Sequence, residues 1–138
     1  MKNSPSASQK RSRFRTIQHV LNELCATYGF TTAVLVGPEG LPMAVADQDA
    51  YGDPDRLAAV AAHMRISMQT AQRQLGWSGL DEINIVSDDG HRLIGRPIQL
   101  DDEELILVIL MPYWISYRKA TTEAIGVIRW AWRSPPEA

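Results

Sequence analysis

A run of seven consecutive apolar residues, Leu105–Met111 (LILVILM), restricts the folds open to this chain more than any other feature. The run is too short to cross a bilayer as a helix. An uninterrupted apolar strand is typical of the middle of a sheet that is covered on both faces. We therefore expect this segment to form the central strand of the core.

The remaining segments predict three helices and two β-hairpins. Asp53-Pro54-Asp55 combines an N-cap, a proline at the first helical position and an acid in the first turn, so it marks a helix start, and Gly76 marks its end. Pro42 cannot donate to a sheet ladder, so the strand after Gly40 either lies at a sheet edge or has its early residues outside the pairing. The predicted elements are helix 1 (14–29), strands 31–36 and 41–46, helix 2 (53–76), strands 82–87 and 91–98, the apolar strand 105–111, and helix 3 (112–132).

This order indicates one α/β fold. Hairpin connections dominate, so the five strands are expected to form a mainly antiparallel sheet in an α-β-β-α-β-β-β-α sandwich. The chain has 138 residues, the size of a single domain. We predict a domain over residues 16–133 and a short C-terminal tail over 134–138.

Charge is distributed unevenly. Residues 1–15 carry five basic residues and no acid, so with a formal net charge of -2 for the whole chain the remainder carries -7. The basic segment has few apolar residues and is predicted to be a disordered tail. An acidic body argues against nucleic-acid binding, whereas the tail itself could bind anionic lipid or nucleic acid, or could only aid solubility. No apolar run spans a membrane and no signal peptide is evident, which predicts a cytoplasmic protein.

No catalytic or cofactor motif is evident in the sequence. Gly37-Pro38-Glu39-Gly40 is typical of a hairpin turn and not of a phosphate loop. Cys25 has the pattern of a small buried apolar residue, and His63 has no second ligand at helical spacing. The acidic run Asp101–Glu104 is typical of a solvated turn, with a calcium site as the weaker alternative. We therefore expect no enzyme activity, no cofactor and no metal.

Tryptophans near the C-terminus lie off the main apolar stripe of helix 3. At least one of Trp114, Trp130 and Trp132 is therefore expected at the surface. Either these rings cover the first helix and the end of the sheet, or they contact a partner.

Several segments together resemble the Roadblock/dynein light chain family. Val34–Ala44 is similar to its first hairpin, in which a glycine turn is followed by Leu-Pro, and Asp55–Ala62 is similar to its second helix, rich in small residues. Leu80–Val86 and the apolar run match the strands that follow. The similarity covers about residues 16–125 and implies a Roadblock/profilin-like sandwich.

The resemblance implies a dimer, either of two copies or with a related chain. In it the second helices pack together and the third strands pair edge to edge. Small and adaptable side chains on helix 2 permit such packing, and an unpaired strand at 82–87 would be a liability. The implied interface residues are Ala58, Ala61, Ala62, Met64, Met68, Ala71, Ile83, Asn84 and Ile85.

Family members of bacterial type resemble non-catalytic partners of small Ras-like GTPases, which they bind through the helical face of the dimer. The residues implied to contact such a GTPase are Arg65, Gln69, Gln72 and Arg73, although a solvated polar face also explains them. The leading hypothesis is thus a dimeric GTPase adaptor or regulator. The alternative is a small-molecule sensor, since sandwiches of this size can hold a ligand between sheet and helix. Both leave the identity of the GTPase and the roles of the Lys2–Arg15 segment and the tryptophans open.

Overall fold

A computed structural model of the protein describes residues 5–47 and 53–133. The elements are α1 (Ala7–Tyr28), β1 (Thr32–Val36), β2 (Pro42–Asp47), α2 (Pro54–Leu75), β3 (Ile83–Val86), β4 (His91–Gln99), β5 (Glu104–Pro112) and α3 (Arg118–Arg133). The predicted order of three helices and five strands is confirmed.

The strands form one antiparallel sheet in the order β2-β1-β5-β4-β3. β5 lies in the middle, and its residues 105–109 are completely buried, as the apolar run predicts. Within the described residues β2 and β3 form the two edges. The expectation that Pro42 belongs to an edge strand is therefore confirmed.

Helices cover both faces of the sheet and create two apolar clusters. Side chains alternate along each strand, so Leu107 and Ile109 face α1 and α3, whereas Ile106 and Val108 face α2. The cluster under α1 and α3 is the larger. The smaller cluster on the opposite face is covered by the single helix α2.

The start of α2 and the ends of α1 and α2 follow the sequence signals. Asp53 accepts a hydrogen bond from the Asp55 amide at 3.0 Å and caps α2. Gly29 and Gly76 end α1 and α2 with φ angles of 77° and 69°, a left-handed conformation that a glycine adopts without strain.

α1 begins earlier than expected. The prediction of a disordered tail is wrong for residues 7–15, which form the first turns of α1, while residues 1–4 lie outside the described part of the chain. Ser6 and Gln9 form a capping box, in which the Ser6 hydroxyl accepts from the Gln9 amide and the Gln9 side-chain carbonyl oxygen accepts from the Ser6 amide. Arg13 is only 8% exposed and donates to the carbonyl oxygen of Trp132 at 2.8 Å. These contacts offset the ordering entropy that the composition alone leaves uncompensated.

α3 begins later than expected. Pro112 ends β5, where it pairs with His91, and the helix starts only at Arg118. The Tyr113 amide donates to the Gly90 carbonyl at 2.9 Å, so a sheet-to-turn contact overrides the proline helix-start signal. Most of the apolar positions expected on one stripe of helix 3 are buried: Tyr117, Ala120, Ala124, Ile128 and Ala131. The other two, Tyr113 and Val127, are 50% and 39% exposed. Residues 134–138 lie outside the described part.

Tryptophans divide between surface and core. Trp114 and Trp130 are 71% and 52% exposed, which confirms that at least one faces outward. Trp132 packs edge to face on Phe14 with ring centroids 6.5 Å apart. In the described part of the chain, no helix is long and apolar enough to cross a membrane.

Candidate interaction surfaces

β3 is a short edge strand with an apolar surface. Ile85 and Val86 are 47% and 54% exposed, and Ile83 is half-buried. Ile83 and Ile85 lie opposite Gly95 and Leu93 and share the α2 side of the sheet. On its outer side β3 pairs with no described strand. An apolar edge of this kind is a template for pairing with another chain.

A network of polar side chains connects the segment just before β3 with α3. Arg96, 5% exposed, donates to Asp81 at 3.1 Å and to the hydroxyls of Thr121 and Thr122, each at 2.8 Å. Arg118 pairs with Asp81 at 2.6 Å. Burial raises the pKa of Asp81, but the hydrogen bonds from Arg118 and Arg96 outweigh this and hold that pKa below its usual value. Charged hydrogen bonds thus tie the segment before β3 to β4 and α3.

Tyr117 extends this network to β3 itself. Its hydroxyl donates to the Glu82 carboxylate at 2.6 Å and accepts from the Asn84 amide at 3.1 Å. Burial, together with the hydrogen bond to Glu82, raises the pKa of Tyr117, so the phenol stays protonated and can donate. Asn84 therefore points to the α3 side, away from α2.

One flank of α2 lies towards β3. A Cβ atom placed on Gly95 would lie 2.7 Å from the sulfur of Met64 and 3.2 Å from Ile83. Gly95 thus makes room for Met64 beside β3. Val60, Ser67 and Ala71 share this side of the helix by their spacing of three and four. We call this row, residues 60, 64, 67 and 71, the β3 flank of α2.

The predicted interface residues on α2 differ in how much of their surface is exposed. Four of them are at most 6% exposed, because they form the stripe that packs on this chain's own sheet: Ala58, Ala61, Met64 and Met68. These four residues stay predictions, and little of their side-chain surface is accessible in the single chain. Ala62 is partly exposed but lies on the opposite side of α2 from Met64. Ala71, Ile83, Asn84 and Ile85 stay predictions, and each lies on the β3 flank or on β3 itself.

The other side of α2 carries two of the four residues predicted to bind a partner, Gln69 and Arg73. Ala62, Ile66, Gln69 and Arg73 follow one another at helical spacing, and we call this row the outer flank of α2. Ile66 is 60% exposed, and Gln69 and Arg73 are exposed beside it. The sequence analysis missed Ile66. An Ile on a helix is typical of the core, and only the position of the sheet shows that this one faces solvent.

The guanidinium of Arg65 is occupied by hydrogen bonds and an ion pair within the same chain. Its guanidinium donates to the Pro38 carbonyl at 3.0 Å and to the Glu104 carbonyl at 3.4 Å, and it lies 3.5 Å from the Glu104 carboxylate. Its side chain is only 20% exposed. Arg65 therefore ties α2 to the first hairpin and to the start of β5.

A cleft of about 340 Å³ opens between α2, the loop before β3 and the end of β4. Gln69 and Gln72 line it together with Arg65, and Arg129 reaches it from α3. Leu75 and Trp77, 57% and 56% exposed, lie just beyond, where α2 ends. The lining is polar and partly ion-paired, which suits recognition of polar groups more than burial of an apolar ligand.

The described residues show little that could carry chemistry of their own. Among residues 5–47 and 53–133, no group of three or more His, Cys, Asp or Glu side chains could hold a metal ion. Cys25 is buried, and burial raises the pKa of its thiol to about 11, with Asp47 adding to the shift. A protonated buried thiol is a poor nucleophile.

Comparisons with known proteins agree with this architecture. Residues 16–111 match the family model of the Roadblock/LC7 domain. A search of curated protein sequences gave no match. Among solved structures, MglB from Myxococcus xanthus is similar, with 18% identity, a TM-score of 0.76 and coverage of 88% of this chain and 98% of that chain.

Two further structures share the fold. The gliding protein MglB from Thermus thermophilus has 16% identity and a TM-score of 0.74, and the match covers 93% of both chains. A Roadblock/LC7 domain from Streptomyces avermitilis has 17% identity and a TM-score of 0.66, with 81% of this chain and 91% of that chain covered.

Proposed function

Because this chain belongs to the Roadblock/LC7 family, we propose that it acts as a dimeric adaptor or regulator of a small Ras-like GTPase. The observation that carries the proposal is the division of α2 and β3 into two surfaces. The β3 edge with the β3 flank of α2 suits self-association. The outer flank of α2 is left free for a partner.

Self-association uses antiparallel pairing of two β3 strands. Such pairing joins the two five-stranded sheets and brings the two α2 helices onto one face, β3 flank towards β3 flank. Ile83 and Ile85 become covered on that face, and Ser67 and Ala71 are small enough to let the helices approach. The apolar edge is thereby removed from water.

The GTPase binds the outer flank of α2. Exposed Ile66 provides an apolar contact, and Gln69 and Arg73 provide polar contacts around it. Trp77 extends this surface past the end of α2. An apolar anchor with neighbouring Trp and Arg side chains is the usual composition of an energetic centre in protein interfaces.

A crossed pair of variants tests the two surfaces by light scattering. The unsubstituted protein is expected at twice 15.4 kDa at micromolar concentration. Ile85→Lys puts a charge into the strand pairing and should give a monomer, whereas Ile66→Lys changes the outer flank and should leave the dimer intact. A monomeric unsubstituted protein, or a dimer that survives Ile85→Lys, contradicts the proposed pairing.

Binding to a GTPase is tested by pull-down of candidate small Ras-like GTPases loaded with GDP or with a GTP analogue. Binding should depend on the nucleotide, and Ile66→Lys and Arg73→Glu should abolish it. Arg56→Glu is the matched control, because Arg56 is an exposed arginine in the first turn of α2. Binding that ignores the nucleotide state for every candidate counts against the proposal.

A small-molecule sensor is the second candidate, and the cleft beside Gln69 and Gln72 is the observation that favours it. A ligand in that cleft should raise the melting temperature of the protein, and Gln72→Ala should remove the shift while Gln74→Ala retains it. A metabolite panel without any such shift leaves the adaptor as the function.

A further inference from the structure

The N-terminal half of α1 is crowded with positive charge. Lys10, Arg11, Arg13 and Arg15 lie within six positions, and the first turn contains no acid. The N-terminus of a helix carries a partial positive charge, so these cations repel the helix dipole as well as one another. The Arg13 guanidinium donates to the Trp132 carbonyl, its central carbon lies 4.2 Å from the centre of the Trp132 ring, and the Glu103 carboxylate acts on its charge.

The other three cations face solvent. Lys10, Arg11 and Arg15 are exposed, and none of them forms a hydrogen bond or an ion pair with another side chain in the described ranges. These three side chains therefore present positive charge to solvent, where an external anion would be attracted.

α3 lies antiparallel beside α1 and continues this surface. Trp132 packs on Phe14 at one end of the layer, whereas Gly29 lies close to Ile115 at the other. The basic half of α1 thus lies next to the C-terminal half of α3. That half exposes Trp130 and, to a lesser degree, Val127.

The other charges on the two helices are mixed in sign. Lys119 and Arg133 are exposed on α3, although Arg133 lies 3.8 Å from Asp101. Arg118 does not contribute free positive charge to this surface, because it pairs with Asp81 beside β3. The exposed acids of the two helices are Glu23 and Glu123. At the end of the layer where Trp132 packs on Phe14, the exposed cations are Lys10, Arg11, Arg15 and the ion-paired Arg133, whereas Lys119 lies at the other end. The acidic loop between β4 and β5 approaches the same end, with Asp101 at Arg133 and Glu103 acting on the charge of Arg13.

We propose that this outer face of α1 and α3 binds the surface of an anionic phospholipid bilayer. Lysine and arginine attract anionic headgroups, and tryptophan partitions into the interfacial region, where one part of its ring is apolar and the other polar. The exposed Trp130 and Val127 distinguish this surface from a purely electrostatic nucleic-acid site. No part of the chain needs to insert deeply.

The proposed dimer strengthens this binding, and this step rests on the proposed function. Antiparallel pairing of β3 places the two-fold axis perpendicular to the joined sheet. Both α1–α3 layers then lie on one side, while both α2 helices lie on the other. A single flat membrane can contact the two basic faces together, and the GTPase surface remains accessible on the opposite side.

Vesicle sedimentation of the full chain tests the inference. Vesicles of phosphatidylcholine with one third phosphatidylserine should bind the protein, and pure phosphatidylcholine vesicles should not. Binding should weaken strongly between about 0.1 M and about 1 M salt, because the Debye length shortens. Arg15→Gln should lower the partition constant by about fivefold, and Arg11→Gln with Arg15→Gln by about 25-fold.

Matched variants separate this surface from the rest of the molecule. Arg56→Gln removes an exposed arginine on α2 and should leave vesicle binding unchanged, whereas Trp130→Ala should weaken it. Equal loss in Arg15→Gln and Arg56→Gln would show a general charge effect and overturn the inference. So would tighter binding to duplex DNA or RNA than to anionic vesicles through the same arginines.

The dimer variant makes the two proposals distinguishable. Ile85→Lys should reduce vesicle binding but keep the preference for anionic lipid, because each protomer retains one basic face. A monomeric protein that still binds anionic vesicles refutes the dimer and supports the membrane surface. A dimer that binds no anionic vesicles refutes the membrane surface alone.

Discussion

At the scale of single residues, the surroundings decide what a side chain does more than its type. Arg65 and Arg73 lie on the same helix, yet Arg65 is held by the first hairpin and Glu104, whereas Arg73 is exposed. Ala61 and Ala62 are neighbours in sequence, but only Ala61 is fully buried. The sequence placed each of these residues on α2. It could not say which of them the sheet would cover.

Gly95 illustrates a residue whose role depends on tertiary contact. Gly95→Val should lower the free energy of unfolding by about 1–3 kcal/mol, because its side chain would overlap Met64 and Ile83. Gly126→Ala is the control, since an added Cβ there meets no atom within 4 Å and alanine favours a helix. That variant should gain about 0.5–1 kcal/mol. Urea unfolding measures both, and a Gly95→Val protein of undiminished stability would contradict the close packing.

At the scale of elements, local signals and tertiary contacts compete. The α2 boundaries agree with the signals at Asp53 and Gly76. Composition predicts disorder up to residue 15, whereas the Ser6–Gln9 capping box starts α1 at Ala7. The α3 start was misplaced because pairing of Pro112 with His91 extends β5 through the expected helix start.

The capping box of α1 is open to a direct test. Ser6→Ala removes the side-chain acceptor of the Gln9 amide and should cost about 1 kcal/mol of local helix stability. Hydrogen exchange at residues 9–12 should become faster, while exchange in β5 stays unchanged. Thr70→Ala, an exposed change in the middle of α2, should leave α1 exchange as it is. Unchanged exchange in Ser6→Ala would mean that packing on Trp132, not the cap, holds this turn.

At the scale of the whole molecule, the sheet order leaves β3 as an edge and places helices on both faces. The larger apolar cluster lies under α1 and α3, and the single helix α2 covers the other face. This asymmetry leaves Ile83 and Ile85 uncovered beyond α2. It is the physical basis for proposing association through that face and membrane contact through the other.

Association through β3 predicts a concentration-dependent stability. A dimer is stabilised by mass action, so the melting temperature of the unsubstituted protein should rise with protein concentration. Ile85→Lys should melt at a lower temperature that does not change with concentration. Calorimetry over a hundredfold dilution series measures both, and a constant melting temperature for the unsubstituted protein would contradict an obligate dimer.

The sequence by itself determined the number and order of the elements, the central place of β5, the edge position of β2 and the family. These follow from short-range properties: apolar runs, caps, turn residues and the missing amide of Pro42. Only the tertiary structure decided which face of α2 is covered, that residues 7–15 are helical, and that Arg65 is tied inside the chain while Ile66 is exposed. Those outcomes depend on contacts between residues far apart in the chain, such as Arg13 with Trp132 and Met64 with Gly95, which no local pattern encodes.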